Sequence, residues 1–299
     1  MITVGLPTWN NKDILWLPLE GLCRQETTQE WELIVMECHS FNDAGWDMVK
    51  SYYPRLKEAG CKRLLYMFSD TRKPLGQKWK EMALRANGER FMLQGADDYS
   101  YSRRIEDTAQ SMNGVDWYDQ QGFWFYDLRM KKLIMFDKTS VDRWDTGANM
   151  TVKTRVLRNM PDNDQRRGVD HFIHDQTDGT HYTDTDMKYG GVNTNGANVL
   201  SVSRDMYFKD PKPPYIRTDK TIRDLGIPDD ITEKLLKFDC LTRREKLKSK
   251  MIDVKFTRDY DKFRKGHEMS VASIAYFNLQ DYVEVKDYKL PQPFEEELL

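Results

Sequence analysis

Four short apolar runs alternate with three stretches of helical spacing in the first hundred residues, and this alternation is the strongest constraint on the fold. The runs are residues 2–6, 31–36, 63–68 and 90–94. WELIVM and RLLYMF are apolar without a break, as strands buried on both faces are. Between them, residues 11–25 repeat apolar side chains at Ile14, Leu15, Leu19 and Leu22, with Pro18 placed to start or kink a helix. Residues 46–59 read as a helix broken or kinked at Pro54, and residues 75–86 as one stopped by Asn87-Gly88. The order β-α-β-α-β-α-β predicts an α/β fold: a Rossmann-like, mostly parallel central sheet with helices on both faces. Ligands of such sheets bind at the carboxyl ends of the strands. Residues 7–10, 37–40 and 95–100 are therefore suspects by position alone.

Past residue 111 the alternation stops. Residues 122–126 and 132–137 predict a hairpin around 128–131. Short helices are expected at 153–159 and 169–175, and short strands in a loop at 190–203. Residues 209–215 hold three prolines and read as a linker. Charged helical patterns follow at 230–238 and 242–251, so a mainly helical C-terminal extension is expected.

Hydrophobic residues make up 39% of the 299, too many for a disordered chain. The formal charge of -2 provides no global field toward DNA or membrane. Cys23, Cys38, Cys61 and Cys240 fall in no metal-ligand spacing, which fits a reducing, cytoplasmic setting. No apolar stretch is long enough for a transmembrane helix, and the first residues form a strand pattern rather than a signal peptide. Neither GxGxxG nor a Walker A motif follows the first strand, which argues against a dinucleotide dehydrogenase or a P-loop enzyme.

Asp97-Asp98 follows the fourth strand directly. A pair of carboxylates there suits Mg²⁺ or Mn²⁺, which take one or two carboxylates and complete their shell with phosphate oxygens. On its own an Asp-Asp pair more often caps a turn; its neighbours change the weight. The opening Thr3-Val4-Gly5-Leu6-Pro7-Thr8-Trp9-Asn10 resembles the first strand and P-T-[YW]-N turn of family 2 glycosyltransferases. Residues 31–37, WELIVME, look like their second strand with its acidic end. Residues 74–99, PLGQKWKEMALRANGERFMLQGADDY, resemble their helix and the strand leading into the D-x-D motif. Gly95 stands where that family has its first Asp, and Asp97 where it has the last.

The resemblance implies a GT-A fold over residues 1–208, divided into a nucleotide-sugar half (1–100) and an acceptor half (101–208), with 209–299 as linker and extension. It implies an inverting, metal-dependent transfer of a sugar from a nucleotide-sugar, by default a UDP-sugar, to an acceptor hydroxyl. Pro7, Thr8, Asn10, Glu37, Gln77, Lys78, Ala96 and Asp97 would line the donor. Asp97, with Asp98 and His181 as further candidates, would hold Mn²⁺ or Mg²⁺. Residues 146–150 (Thr-Gly-Ala-Asn-Met) match the family's G-A-N strand, and Asp170 in Gly168-Val169-Asp170-His171-Phe172-Ile173 is the candidate general base. For each residue a plainer role stays open: turn chemistry for Thr8 and Asn10, a solvated strand end for Glu37, an exposed helix lysine for Lys78, a helix cap for Asp170. The acceptor is left open among saccharide, lipid carrier, protein and modified DNA.

Residues 241–265 carry ten Lys or Arg against four acids, with Phe256, Tyr260 and Phe263 interleaved. Such a segment suits contact with a polyanion or forms a solvated helical face. Two rival functions share the fold expectation. A nucleotidyltransferase would carry a Gly-rich basic loop after the first strand, where this chain has Pro7-Thr8-Trp9. A binding module on a decayed transferase scaffold would not need both Asp97 and Asp170.

Overall fold

The computed structural model describes residues 1–9, 11–38, 45–69, 73–112, 114–120, 122–137, 149–161, 169–177, 179–182, 191–195 and 210–238, with three strands at 254–256, 283–285 and 294–298. The first hundred residues form β1 (Ile2–Thr8), α1 (Trp16–Cys23), β2 (Trp31–Cys38), α2 (Trp46–Glu58), β3 (Cys61–Ser69), α3 (Leu75–Arg85), β4 (Arg90–Leu93) and β5 (Tyr99–Ser100). Then come α4 (Arg104–Ser111), β6 (Trp117–Gln120), β7 (Gly122–Asp127), β8 (Lys132–Asp137), β9 (Thr151–Lys153), α5 (Thr154–Arg158), α6 (Val169–Gln176), β10 (Gly179–Tyr182) and β11 (Gly191–Asn195). β12 (Tyr215–Arg217), a 3-10 turn (Ile222–Leu225), α7 (Asp229–Lys237), β13 (Val254–Phe256), β14 (Val283–Val285) and β15 (Phe294–Leu298) complete the order.

The main sheet runs β10-β6-β9-β4-β1-β2-β3-β15. β1 pairs in parallel with both β2 and β4, and β2 with β3. The chain thus moves outward from β1 to β3, then returns to place β4 on the other side of β1. The order of the strands reverses between β1 and β4, and in open α/β sheets ligands bind outside the carboxyl ends of the strands at such a switch point. Two apolar clusters cover the sheet: one includes Ile34, Trp79, Phe91, Leu93 and Ile173, the other Val4, Leu19, Leu33, Val49 and Tyr66. Helices on both faces are what the continuous apolar runs required.

The second sheet, β12-β8-β7-β11-β5, joins the predicted hairpin to β5 through β11. At the hairpin tip, Asp127 Oδ1 accepts from the Arg129 and Met130 amides at 2.9 and 2.8 Å.

Three local expectations shift. β1 passes through Pro7 to Thr8 instead of stopping at the proline. β4 pairs only as far as Gly5, so at Pro7 the strand has β2 alone as neighbour and a missing amide costs no ladder bond on the open side. α1 starts at Trp16, five residues later than expected, which puts Pro18 in its first turn, where an amide has no intrahelical partner. Of the strand expected at 146–150, residues 146–148 lie outside the described residues; Asn149 takes a left-handed turn at φ 59°, and β9 follows at Thr151–Lys153.

The expected linker leads directly into packed structure. β12 pairs with β8. Ile222, Leu225, Ile227, Ile231 and Leu235 share an apolar cluster with Ile14, Trp16 and Leu17. Arg24 meets Asp230 at 2.6 Å, and the Lys234 ammonium sits 3.9 Å from the centre of the Trp16 ring. Residues 210–238 are therefore docked against α1. The helix expected at 242–251 and all of 241–265 except β13 lie outside the described residues. No described helix is long and apolar enough to cross a membrane.

Candidate functional site

Thr8 ends β1, Glu37 lies next to the end of β2, and Ala96 and Asp97 follow β4. The Gln94 amide donates to the Gly5 carbonyl at 2.9 Å, which sets the turn after β4 beside the end of β1. Thr8 lies level with Glu37 on β2. Thr8 and Asn11 are buried, yet Thr8 Oγ1 and Asn11 Oδ1 have no hydrogen-bond partner among the described residues. Buried polar atoms without partners cost about 1–3 kcal/mol each, so both atoms are open to a bond from a ligand or a water. Asn10 itself lies outside the described residues.

Lys78 is not an exposed helix lysine. It is 6% exposed and its Nζ donates to the Thr8 carbonyl at 2.8 Å, tying the first turn of α3 to the end of β1. A buried ammonium is costly without anionic or carbonyl partners, and this one puts positive charge at the carboxyl end of β1. Gln77, one residue earlier, donates instead to Glu81 at 3.0 Å.

Glu37 departs from the solvated strand end. The residue is 1% exposed, and its Oε2 accepts from the Gly45 amide at 2.6 Å and from the Tyr66 hydroxyl. Burial, and then the Glu37 carboxylate, push the Tyr66 phenol well above its ordinary range, so the hydroxyl is the donor. Glu37 therefore anchors the start of α2 beside the end of β2.

After β4, Ala96 buries its methyl group with Leu6 and Ile105, so its peptide is what a ligand can reach. Asp97 is half-buried. Asp98 folds back: Oδ1 accepts from the Thr194 amide at 2.9 Å, and Oδ2 lies 2.0 Å from where a β-carbon on Gly95 would stand. The absence of a side chain at 95 is thus demanded by the space that Asp98 occupies. Behind the turn, Gln94 Nε2 donates to the carbonyls of Gly95 and Asp98 at 3.0 and 2.9 Å. Arg104, 2% exposed, donates to Gln94 Oε1, Ser100 Oγ and the Leu93 carbonyl at 2.8, 2.8 and 2.6 Å.

Asp170 is half-buried in the first turn of α6. Its neighbours Val169 and Ile173 share a cluster with Leu93 and Met150, which are themselves bonded backbone to backbone at 2.9 Å. α6 thus packs on the end of β4. One turn on, His174 Nε2 stands 3.7 Å from Asp119 Oδ2, both side chains are buried, and the imidazole lies 4.0 Å from the Trp117 ring. Asp119 escaped the sequence reading. The four-residue spacing of Asp170 and His174 was the available signal, since it puts both on one helix face. His181 lies on β10, level with Asp119. Three strand spacings, about 14 Å, separate β10 from β4, so the structure does not bring His181 together with Asp97.

Among the described residues no three His, Cys, Asp or Glu side chains cluster as a ready-made metal cage. An ion shared with phosphates needs only one or two carboxylates from the protein.

An open, mostly parallel α/β sheet with a switch point between β1 and β4, an acidic turn after β4 and a second sheet beside it is the GT-A arrangement. Residues 3–121 match the family model described as Glycosyl transferase family 2. No curated protein matches it. Among solved structures, S. aureus TarS is similar at 15% identity and a TM-score of 0.50, over 65% of this chain and 37% of that one. TarS 1-349 in complex with UDP-GlcNAc gives a TM-score of 0.51 at 15% identity, over 65% of this chain and 58% of that one. The Pyrobaculum calidifontis mannosyltransferase PcManGT, in complex with GDP-Man and Mn²⁺, gives 0.47 at 14% identity, over 71% of this chain and 66% of that one. This chain spans well under two thirds of full TarS, and the likeness shows the GT-A fold.

Proposed function

We propose that this chain is an inverting, metal-dependent glycosyltransferase that uses a nucleotide-sugar, by preference a UDP-sugar, and passes the sugar to an acceptor hydroxyl. The observation that carries the reading is the pair of unpartnered buried atoms, Thr8 Oγ1 at the carboxyl end of β1 and Asn11 Oδ1 three residues on. A hydroxyl and an amide oxygen suit the N–H of a base and the hydroxyls of a ribose. The binding of UDP and UDP-GlcNAc by TarS, a protein of the same fold, favours uridine.

Each side chain then has a task. Thr8 and Asn11, with Asn10 and Pro7 beside them, orient the nucleoside. Lys78 holds the Thr8 carbonyl and adds positive charge where a diphosphate needs it. Glu37 keeps the start of α2 in place through the Gly45 amide and Tyr66, a positioning role in place of direct base contact. Asp97 is the carboxylate for Mn²⁺ or Mg²⁺, which when bound offsets the charge that develops on the leaving diphosphate. Asp170 takes the proton of the acceptor hydroxyl as it attacks, and attack from the face opposite the diphosphate inverts the anomeric centre. His174 and Asp119 hold the helix that presents Asp170. The described cysteines Cys23, Cys38 and Cys61 are all free, in keeping with a reducing compartment such as the cytoplasm.

The test is hydrolysis of UDP-GlcNAc, other UDP-sugars and GDP-mannose by pure protein, with Mn²⁺ and with EDTA. The reading predicts metal-dependent release of UDP from at least one donor. Release that ignores the metal, or binding of none of these donors, contradicts it.

A further inference from the structure

We infer that strand β11 is a working part of the donor site, held there by a two-bond latch in which Asp98 is a positioning residue and Asp97 alone is the carboxylate ligand. The inference rests on the proposed function and assigns roles within that site. Thr194 makes both bonds. Its amide donates to Asp98 Oδ1 at 2.9 Å, and its Oγ1 donates to the Asp97 carbonyl at 2.5 Å. One residue of β11 thus fixes the Asp98 side chain and the Asp97 backbone together.

The surroundings are shaped for this contact. Gly191 opens β11, and a β-carbon there would lie 2.0 Å from the Tyr99 carbonyl oxygen, so only glycine lets β11 come this close to β5. On the far side Gln94 and the buried Arg104 hold the same turn through its carbonyls and through Ser100. The turn is clamped from both sides, and with it the backbone that carries the Asp97 side chain. β11 is also paired in parallel with β7, and β7 with β8. Movement of the second sheet therefore reaches the Asp97 peptide through Thr194.

A ligand and a positioning residue respond differently to an isosteric amide. Asp98→Asn keeps an Oδ1 to accept the Thr194 amide, whereas Asp98→Ala loses that bond and leaves only the one to the Asp97 carbonyl. The experiment compares Asp97→Asn, Asp98→Asn, Asp98→Ala, Thr194→Val and Thr194→Ser. It reads Mn²⁺ affinity in the presence of UDP by electron paramagnetic resonance, and hydrogen exchange of the Thr194 amide without ligand. Asp98→Asn and Thr194→Ser are expected to keep Mn²⁺ affinity within about threefold. Thr194→Val is expected to weaken it about five- to tenfold and Asp98→Ala about ten- to a hundredfold, the range for one hydrogen bond to a neutral or a charged acceptor. In Asp98→Ala the Thr194 amide should exchange at least about tenfold faster. An Asp98→Asn variant as deficient in Mn²⁺ as Asp97→Asn makes Asp98 a ligand and overturns the inference. So does an unchanged exchange rate at Thr194 in Asp98→Ala. If wild type binds no Mn²⁺ with UDP, the proposed function and the working role of the latch fall together, and the exchange measurement still shows whether the two bonds exist.

Discussion

Gly95→Ala tests the steric argument for the acidic turn with one methyl group. A β-carbon at 95 would lie 2.0 Å from Asp98 Oδ2 and 2.7 Å from its Cγ, distances at which something must move. The end of the Asp98 side chain is the part able to move, and moving it breaks the bond from the Thr194 amide. A hydrogen bond to a charged acceptor contributes about 1.5–3 kcal/mol. Replacing glycine by alanine restores about 0.4–1 kcal/mol by restricting the unfolded chain. The net loss should therefore be about 1–2.5 kcal/mol. On an Asp98→Ala background the two closest atoms are gone and only Asp98 Cβ, at 3.3 Å, remains near. The same Gly95→Ala change should then be close to neutral. Urea unfolding of the four proteins in the cycle gives the coupling directly, expected at about 1.5–3 kcal/mol. Equal costs of Gly95→Ala on both backgrounds would refute the argument that the Asp98 carboxylate excludes a side chain at 95.

Other outcomes follow from single side chains. Thr8→Val removes a buried hydroxyl with no partner and keeps the volume; thermal unfolding should show equal or higher stability, while donor KM rises about tenfold, the worth of one hydrogen bond. Asp170→Asn should leave UDP binding by calorimetry within about threefold and lower transfer by about a hundredfold or more, in line with the loss of a general base. Glu20, bonded by Arg55 at 2.9 and 2.8 Å, has its carboxyl lowered from 4.5 to about 2, with the Arg55 hydrogen bonds as the largest cause. A depressed carboxyl stabilises the fold above its unfolded value and ceases to as pH falls toward 2. Wild type should therefore lose Tm between pH 4.5 and 2, and Glu20→Gln, weaker at neutral pH, should lose less across that window.

The first hundred residues disclosed their architecture because each element is set by its own sequence. The apolar runs of β2 and β3 can only be buried, and the helical spacing between them allows one crossover hand. That logic put Thr8 and Asp97 at the carboxyl ends of β1 and β4, where the strands are found. What stayed hidden depends on contacts between distant residues. Thr194 lies in a segment that reads as a loop with short strands, and nothing in Gly191–Asn195 announces a bond to a residue 96 positions earlier. The burial of Glu37 and Lys78 was equally illegible, because each ends on a partner from another element, Gly45 and Tyr66 for one and Thr8 for the other. Residues 209–215 look like a linker by their prolines, yet β12 and α7 beyond them dock on β8 and α1 through an apolar face that composition alone does not assign.

Mn²⁺ titration of the UDP-loaded protein, followed by electron paramagnetic resonance for wild type and Asp97→Asn, puts the account to its most direct trial. Saturable binding of one ion by wild type, weakened at least about tenfold when a single carboxylate becomes an amide, is the predicted result. Equal affinity in the two proteins would contradict it.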